Sequence, residues 1–147
     1  MLLKATPSDS IIFKDALIVT MNRQKEVLQG NLLVEGNRIK AVGQVDAEAG
    51  RVIDARNKVL IPGLIQAHVH LCQTIFRGQA DDLELLDWLN TRVLPLESTH
   101  DPESIYYSAL LGIGEMFQAG TTAIIDMESV HYTESAFEAI IQSGMRA

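Results

Sequence analysis

The sequence contains a single cysteine, Cys72, and no apolar run as long as a membrane span. One cysteine excludes an internal disulfide framework and suits a reducing compartment, so we expect a cytoplasmic protein. The apolar run that begins at Ile11 is interrupted by Lys14 and Asp15, and it therefore lacks the pattern of a signal peptide. We find no internal repeat, low-complexity segment or evident linker.

Basic residues are also in short supply, with 12 Lys and Arg against 19 Asp and Glu and a net charge of −7. Such a chain is a poor partner for nucleic acid or an anionic membrane surface, and small neutral or cationic ligands suit it better. The hydrophobic content of 47% excludes the disordered and fibrous classes. We therefore expect a soluble globular protein that binds a small molecule.

The first sixty residues predict a small layer of β-strands. Residues 10–20 are rich in β-branched side chains and form one or two strands. Residues 31–43 place two apolar segments on either side of Gly36 and Asn37, a pattern that predicts a tight hairpin. Two more short strands are expected before residue 61.

From residue 61 onward, strand and helix patterns alternate. The predicted elements are a strand over 61–70, a helix over 83–94 that ends before Pro95, a helix from the N-cap Asp101 to Gly120, a strand over 121–126, a helix over 133–143 and the start of a strand at 145–147. Alternation of this kind favours a parallel sheet of β/α units. A closed eight-stranded barrel needs roughly 250 residues, so we expect either a small open sheet or an amino-terminal piece of a larger protein.

The first of these strands carries two histidines. Pro62 and Gly63 start it, and its apolar residues predict burial on both faces inside a parallel sheet. His68 and His70 are two residues apart and therefore point to the same side, where one metal ion could bind both. From spacing alone a surface or structural role remains open. Asp126 ends the next strand on the same side, as an active-site neighbour or a helix cap.

The remaining candidate residues have ordinary structural explanations. Cys72 is expected to be a small buried residue, because free cysteine is among the most buried residue types. His100 and His131 are expected to be solvated loop residues. From residue type alone, Trp88 would lie in the core and Glu97 on the surface.

Several segments together resemble a known family. Residues 62–70 resemble the first barrel strand of the amidohydrolase superfamily, and the preceding hairpins resemble its opening β-sandwich. Residues 76–89, with their Arg-Gly-x-x-Asp-Asp sequence and Trp-Leu pair, and residues 94–97 resemble the branch that deaminates adenosine-like nucleosides. Residues 118–122 with Asp126 resemble the second barrel strand of that branch.

The resemblance implies an α/β fold, with residues 1–60 in a β-sandwich and residues 61–147 as the first two β/α units of an incomplete amidohydrolase TIM barrel. It implies a hydrolytic deaminase of S-adenosylhomocysteine, methylthioadenosine or 5'-deoxyadenosine, in which water replaces the amino group and ammonia leaves. Guanine deaminase, triazine hydrolase and a non-catalytic domain whose open strand edge pairs with another chain remain alternatives. We also expect a homo-oligomer, because an incomplete barrel disfavours a lone monomer.

The same resemblance implies the site residues. His68 and His70 would bind one divalent metal, with zinc preferred over iron or manganese. Glu97 would accept hydrogen bonds from the two ribose hydroxyls of a nucleoside, and Trp88 would lie close to the substrate pocket. The other metal ligands and the proton-shuttling glutamate of the family lie on later strands. We therefore expect no catalytic residue within this chain, which alone would bind metal weakly and be inactive.

Overall fold

A computed structural model describes residues 3–4, 9–79, 82–128 and 131–147. Asp81, part of the segment that resembles the deaminase branch, lies outside the described residues. The chain divides into two compact units, Met1–Pro62 and Gly63–Ala147. None of the described helices is long and apolar enough to cross a membrane.

The first unit consists of β-strands. They are β1 (Leu3–Lys4), β2 (Ser10–Val19), β3 (Val27–Glu35), β4 (Arg38–Gly43), β5 (Ala47–Glu48), β6 (Arg51–Asp54) and β7 (Val59–Leu60). The main sheet has the order β4-β3-β2-β6, with β7 also paired to β2, and β1 pairs with β5. The predicted β-layer and hairpin are confirmed, since β3 and β4 pair in an antiparallel register on either side of Gly36 and Asn37.

Residues 10–20 form one strand with an irregularity in the middle. The register of β2 against β3 shifts between Phe13 and Ala16, and Asp15 has a positive φ of 61°. The backbone N–H of Asp15 donates to Asn31 Oδ1, and its carbonyl accepts from Gln29. These side chains replace the hydrogen bonds that the bulge removes from the ladder.

The second unit alternates strands and helices, as predicted. Its elements are β8 (Leu64–Val69), a 3₁₀ segment (Leu71–Phe76), α1 (Leu85–Trp88), a π-helical turn (Leu89–Val93), α2 (Leu94–Glu97), α3 (Pro102–Gln118), β9 (Thr121–Asp126) and α4 (Thr133–Ser143). β8 and β9 are parallel. Arg146 forms a parallel bridge with Ala123, which confirms the start of a further strand after α4.

The prediction that the first helix ends before Pro95 is wrong. The helix widens into the π-helical turn, where Leu94 N donates to Leu89 O, and then continues through Pro95 to Glu97. The side chains of Asn90 and Thr91 donate to carbonyls one turn earlier. The widened turn accommodates a proline that would clash with the carbonyl four residues before it in a regular helix.

The predicted burial of the first strand on both faces is also wrong. Leu64 and Ile65 in β8 are 50% and 73% exposed, and Ile125 in β9 is 64% exposed. Among the described residues β8 pairs only with β9, so one edge of β8 has no neighbouring strand. Burial is concentrated on one face of β9, where Ile124 packs with Leu71 and with buried residues of α3 and α4.

The core between α3, α4 and β9 supports a stability prediction. Ile105 is fully buried, whereas Ile141 on α4 is 65% exposed. We expect Ile105→Ala to lower the free energy of unfolding by about 2–5 kcal/mol through lost burial and a residual cavity. Ile141→Ala should change it by no more than about 0.5 kcal/mol. Urea unfolding followed by circular dichroism compares the two variants, and equal effects would contradict this core assignment.

Candidate metal centre

Two imidazole rings meet at the carboxyl end of β8. His68 is exposed and lies within the strand, whereas His70 is half-buried and comes directly after it. Their Nε2 atoms are 3.2 Å apart, and the rings meet edge to face with centroids 5.0 Å apart. Strand geometry explains this, because alternate side chains point to the same face.

The orientation of the His70 ring is fixed by its other nitrogen. His70 Nδ1 lies 2.7 Å from the carbonyl oxygen of Met127. A carbonyl can only accept, so Nδ1 carries the proton and the Nε2 atom of a neutral ring has a free lone pair. An imidazole held in this way presents Nε2 to a metal ion.

The contact between the two rings then determines the tautomer of His68. Since Nε2 of neutral His70 accepts, the 3.2 Å contact requires His68 Nε2 to carry the proton. A metal ion bound by both Nε2 atoms would displace that proton to Nδ1 of His68. The tautomer of His70 thus leaves Nε2 available to a metal ion, whereas His68 would have to change its tautomer to bind one.

The separation of the two nitrogens also fits a metal ion. Nitrogen ligands at about 2.0–2.1 Å from a tetrahedral zinc ion lie roughly 3.3 Å apart, close to the observed 3.2 Å. Within the described parts of the chain, no group of three His, Cys, Asp or Glu residues is arranged to hold a metal ion. The pair fits as part of a ligand set, one short of the three protein ligands of typical catalytic zinc sites.

Residues 126–128, which lie at the end of β9 and just beyond it, bind the chain around His70 through four hydrogen bonds. Met127 N donates to Val69 O, and the Met127 carbonyl accepts from His70. The side chains of Asp126 and Glu128 accept from the backbone N–H groups of Leu71 and Cys72, both at 3.1 Å. Asp126 therefore caps the start of the 3₁₀ segment, consistent with one of its two predicted roles.

The carboxyl group of Glu128 is in an unusual environment. Its Oε2 atom is buried, and among the described residues it has no hydrogen-bond donor. Burial, followed by the neighbouring Asp126 carboxylate, raises the pKa of Glu128 from its ordinary value of 4.5 to about 7. Burial disfavours the charged form, and a protonated Glu128 can also donate to Asp126, which adds to the preference for the neutral form.

This raised pKa predicts how stability depends on pH. Between about pH 4.5 and 7 the native state binds more protons at Glu128 than the unfolded state, so stability falls as pH rises through this window. Glu128→Gln, which cannot ionise, should not lose stability in this window. With a chelator present, we expect the free energy of unfolding of the variant to equal that of the wild type near pH 5. Near pH 8 it should be higher by about 1–2 kcal/mol, a figure reduced for the partial exposure of the side chain. Urea unfolding measures this difference, and a pH-independent difference would contradict the assignment.

Trp88 shares one cavity with the two histidines. The cavity has a volume of 660 Å³, and Gln73, Arg77 and Glu115 also line it. Trp88 is half-buried, not fully within the core as its residue type alone suggested. The structure therefore brings three of the four predicted site residues to one cavity.

Glu97 is joined to this cavity indirectly. Gln73, on the cavity wall, donates to Glu97 Oε1 at 2.7 Å. The thiol of Cys72 lies 3.9 Å from the same oxygen. Glu97 itself is half-buried and is not among the residues that line the cavity. Gln73 thus connects Glu97 with the wall on which the histidines lie.

The prediction of a solvated His100 is wrong. The ring is 7% exposed and packs against Phe76 with centroids 4.8 Å apart. Its Nε2 donates to the Cys72 carbonyl at 2.8 Å, and its Nδ1 is 2.9 Å from Ser104 Oγ. These contacts join distant parts of the chain.

The predictions for two other residues are confirmed. Cys72 is fully buried, and His131 is exposed in a loop.

Some residues of the site carry little signal in the sequence. Arg77 forms a two-bond ion pair with Glu115 of α3, at 2.7 and 2.9 Å, and both side chains line the cavity. Gln73 and Glu128 make contacts across more than twenty positions of sequence. Of these four residues, only Arg77 lies in a segment with a recognisable motif, the Arg-Gly-x-x-Asp-Asp sequence.

Comparison with known proteins identifies relatives that match most of the chain. A sequence profile of the amidohydrolase family matches residues 59–147. The chain is 41% identical over 143 residues to 5-methylthioadenosine/S-adenosylhomocysteine deaminase from Carboxydothermus hydrogenoformans, covering 94% of this chain and 32% of that protein. It is 44% identical over 120 residues to 5'-deoxyadenosine deaminase from Methanocaldococcus jannaschii, covering 80% and 28%. The solved structure of an adenosine deaminase from Xanthomonas campestris with bound zinc gives a TM-score of 0.85 at 29% identity, covering 97% and 34%.

The chain belongs to the amidohydrolase family, since the family profile matches more than half of it. The resemblance to this family and to its adenosine-type deaminases is thereby confirmed. The chain spans about a third of the length of the curated relatives it matches.

Proposed function

We propose that this chain is the amino-terminal part of a metal-dependent hydrolytic deaminase that acts on adenosine-like nucleosides. S-adenosylhomocysteine, methylthioadenosine and 5'-deoxyadenosine are the proposed substrates of the longer protein. The observation that carries the proposal is the pair of Nε2 atoms, 3.2 Å apart, at the carboxyl end of β8. Two relatives with deaminase names, at 41% and 44% identity, support the substrate class.

The finer architecture belongs to the same proposal. Residues 61–147 form the first two β/α units of an incomplete eight-stranded barrel, and residues 1–60 belong to the β-sandwich that precedes it. The parallel pairing of β8 and β9 and the bridge at Arg146 support the first part. Barrel strands place active sites at their carboxyl ends, where His70 lies.

His68 and His70 are the two proposed ligands of the metal ion within this chain. Zinc is the preferred metal, because the nitrogen separation fits it and the Xanthomonas campestris relative has bound zinc. Zinc, when bound, would lower the pKa of water and so help it attack the amino-bearing carbon of adenine. Iron and manganese remain alternatives, since imidazole binds several metals.

Glu97 and Trp88 are the proposed substrate-binding residues. Glu97 Oε1 already accepts from Gln73, but an ionised carboxylate has further lone pairs that can accept from two vicinal hydroxyls. Trp88 provides a half-buried apolar surface on the cavity wall beside the histidines. The chain therefore binds and orients a nucleoside. The group that moves the proton is proposed to lie on later strands, so this chain alone is inactive.

The partners of the longer protein are part of the proposal. A small-molecule nucleoside is the expected ligand, and homo-oligomerisation fits the exposed apolar side chains of Ile65 and Ile125. The alternative of a non-catalytic domain uses the open edge of β8 for pairing with another chain. Nothing in the geometry of the histidine pair requires that alternative.

A comparison of possible substrates of the longer protein tests the proposed activity. Ammonia release would be measured with 5'-deoxyadenosine, S-adenosylhomocysteine and guanine, and chloride release with a chlorotriazine. We expect turnover of the two nucleosides by the longer protein and no turnover by the isolated chain. Exclusive turnover of guanine or the triazine would replace the proposed substrate class with one of the alternatives. Ammonia release by the isolated chain would contradict the claim that it lacks a catalytic residue.

A further inference from the structure

The Met127 carbonyl is the group that sets the His70 tautomer, so whatever fixes this carbonyl also controls His70. On its amino-terminal side the peptide is held by β-pairing, because Asp126 is in register with Val69 and Met127 N donates to Val69 O. On its carboxyl-terminal side the chain continues with Glu128. The Glu128 side chain returns to the segment after His70 and accepts from Cys72 N at 3.1 Å.

We propose that Glu128 is a positioning residue for His70. By accepting from Cys72 N, it holds the Met127 carbonyl against His70 Nδ1 and so keeps Nε2 of His70 free of a proton. The role of Nε2 as a metal ligand rests on the proposed function, whereas the tautomer of His70 does not. Glu128 touches neither imidazole in the hydrogen bonds of the site and acts only through the Met127 peptide.

The surrounding contacts explain why this effect reaches His70. The chain after His70 is also held through its carbonyl groups, because Ser108 Oγ and His100 Nε2 donate to the carbonyls of Leu71 and Cys72. The 3₁₀ segment is therefore a fixed support on the side of α3. Against this support, the Glu128 bond holds the chain on the carboxyl-terminal side of residue 127, whereas the bonds of Asp126 and of Met127 N hold it on the amino-terminal side. Without it, the Met127 carbonyl is held from one side only.

The expected result concerns three variants at position 128. Glu128→Leu removes the acceptor, Glu128→Gln keeps an acceptor oxygen of the same reach, and Glu128→Asp keeps the charge but shortens the side chain. We expect His70 to remain the Nδ1–H tautomer in the wild type and in Glu128→Gln. In Glu128→Leu and Glu128→Asp, a population with the proton on Nε2 should appear. If Glu128→Leu does not fold, Glu128→Asp provides the same comparison.

NMR of the isotope-labelled ring nitrogens reads the tautomer in the metal-free chain at about pH 8, where imidazole is neutral. Zinc affinity, measured by competition with a chelator, should fall by about 10–100-fold in the two variants that lose the contact, and Glu128→Gln should restore it. Glu138→Leu, an exposed position on α4, is the control and should change neither property.

Two outcomes separate this inference from the proposed function. If Glu128→Leu and Glu128→Asp lower thermal stability but leave the His70 tautomer unchanged, Glu128 is only a structural cap and the inference is wrong. If the tautomer shifts as expected but the wild-type chain binds no zinc, the positioning role stands and the proposed metal centre fails.

Discussion

Replacing both His68 and His70 with alanine is expected to abolish zinc binding by this chain. The two Nε2 atoms lie 3.2 Å apart, a separation that suits two ligands of one zinc ion. Loss of an outer-shell partner of a metal ligand typically costs about 10–100-fold in affinity, and loss of both ligands should cost more. Competition with a chromogenic chelator measures the affinity of wild type and variant under the same conditions.

The matched control for this experiment is His131→Ala, which removes an exposed imidazole in the loop before α4. It should leave the zinc affinity unchanged. An unchanged affinity in the double variant would place the metal elsewhere. A loss in His131→Ala equal to that of the double variant would show that imidazoles bind zinc regardless of their geometry.

Glu97→Gln is expected to weaken catalysis by the longer protein in a way that depends on the substrate. Hydrogen bonds to a charged group contribute about 1.5–3 kcal/mol, so kcat/KM for a nucleoside with both ribose hydroxyls should fall by roughly 10–100-fold. For an analogue that lacks both hydroxyls, the same substitution should have little effect. The comparison isolates the interaction between Glu97 and the hydroxyl pair.

Glu103→Gln is the control for that comparison, because Glu103 is an exposed carboxylate in the first turn of α3. It should behave like the wild type with both substrates. If Glu97→Gln lowers kcat/KM equally for the two substrates, Glu97 does not form hydrogen bonds with the ribose hydroxyls. It would then act by holding Gln73, to which it is bonded at 2.7 Å.

Local sequence patterns predicted much of the fold. The hairpin around Gly36 and Asn37 depends on a two-residue turn, and α3 depends on an N-cap at Asp101 with Pro102 after it. Both features are determined within a few residues, and both are confirmed. The histidine pair was predictable for the same reason, because strand periodicity alone places His68 and His70 on one face.

Features that depend on distant contacts could not be predicted in this way. The rule that a helix stops before proline failed at Pro95, because a widened turn preserved the helix. His100 is buried, and its Nε2 donates to the carbonyl of Cys72, which is 28 positions away in the sequence. Glu128 comes after β9, and no local pattern connects it with the segment after His70. Among the described residues β8 pairs only with β9 and is largely exposed, a property of the sheet that the strand sequence does not reveal.

X-ray absorption at the zinc edge of the zinc-loaded chain would identify the atoms that bind the metal. We predict two imidazole nitrogens bound to zinc, with the remaining positions occupied by light atoms of solvent. The signal from both imidazoles should disappear in the His68→Ala/His70→Ala variant. A zinc ion coordinated without imidazole, or with a sulfur ligand from Cys72, would contradict the proposed metal centre.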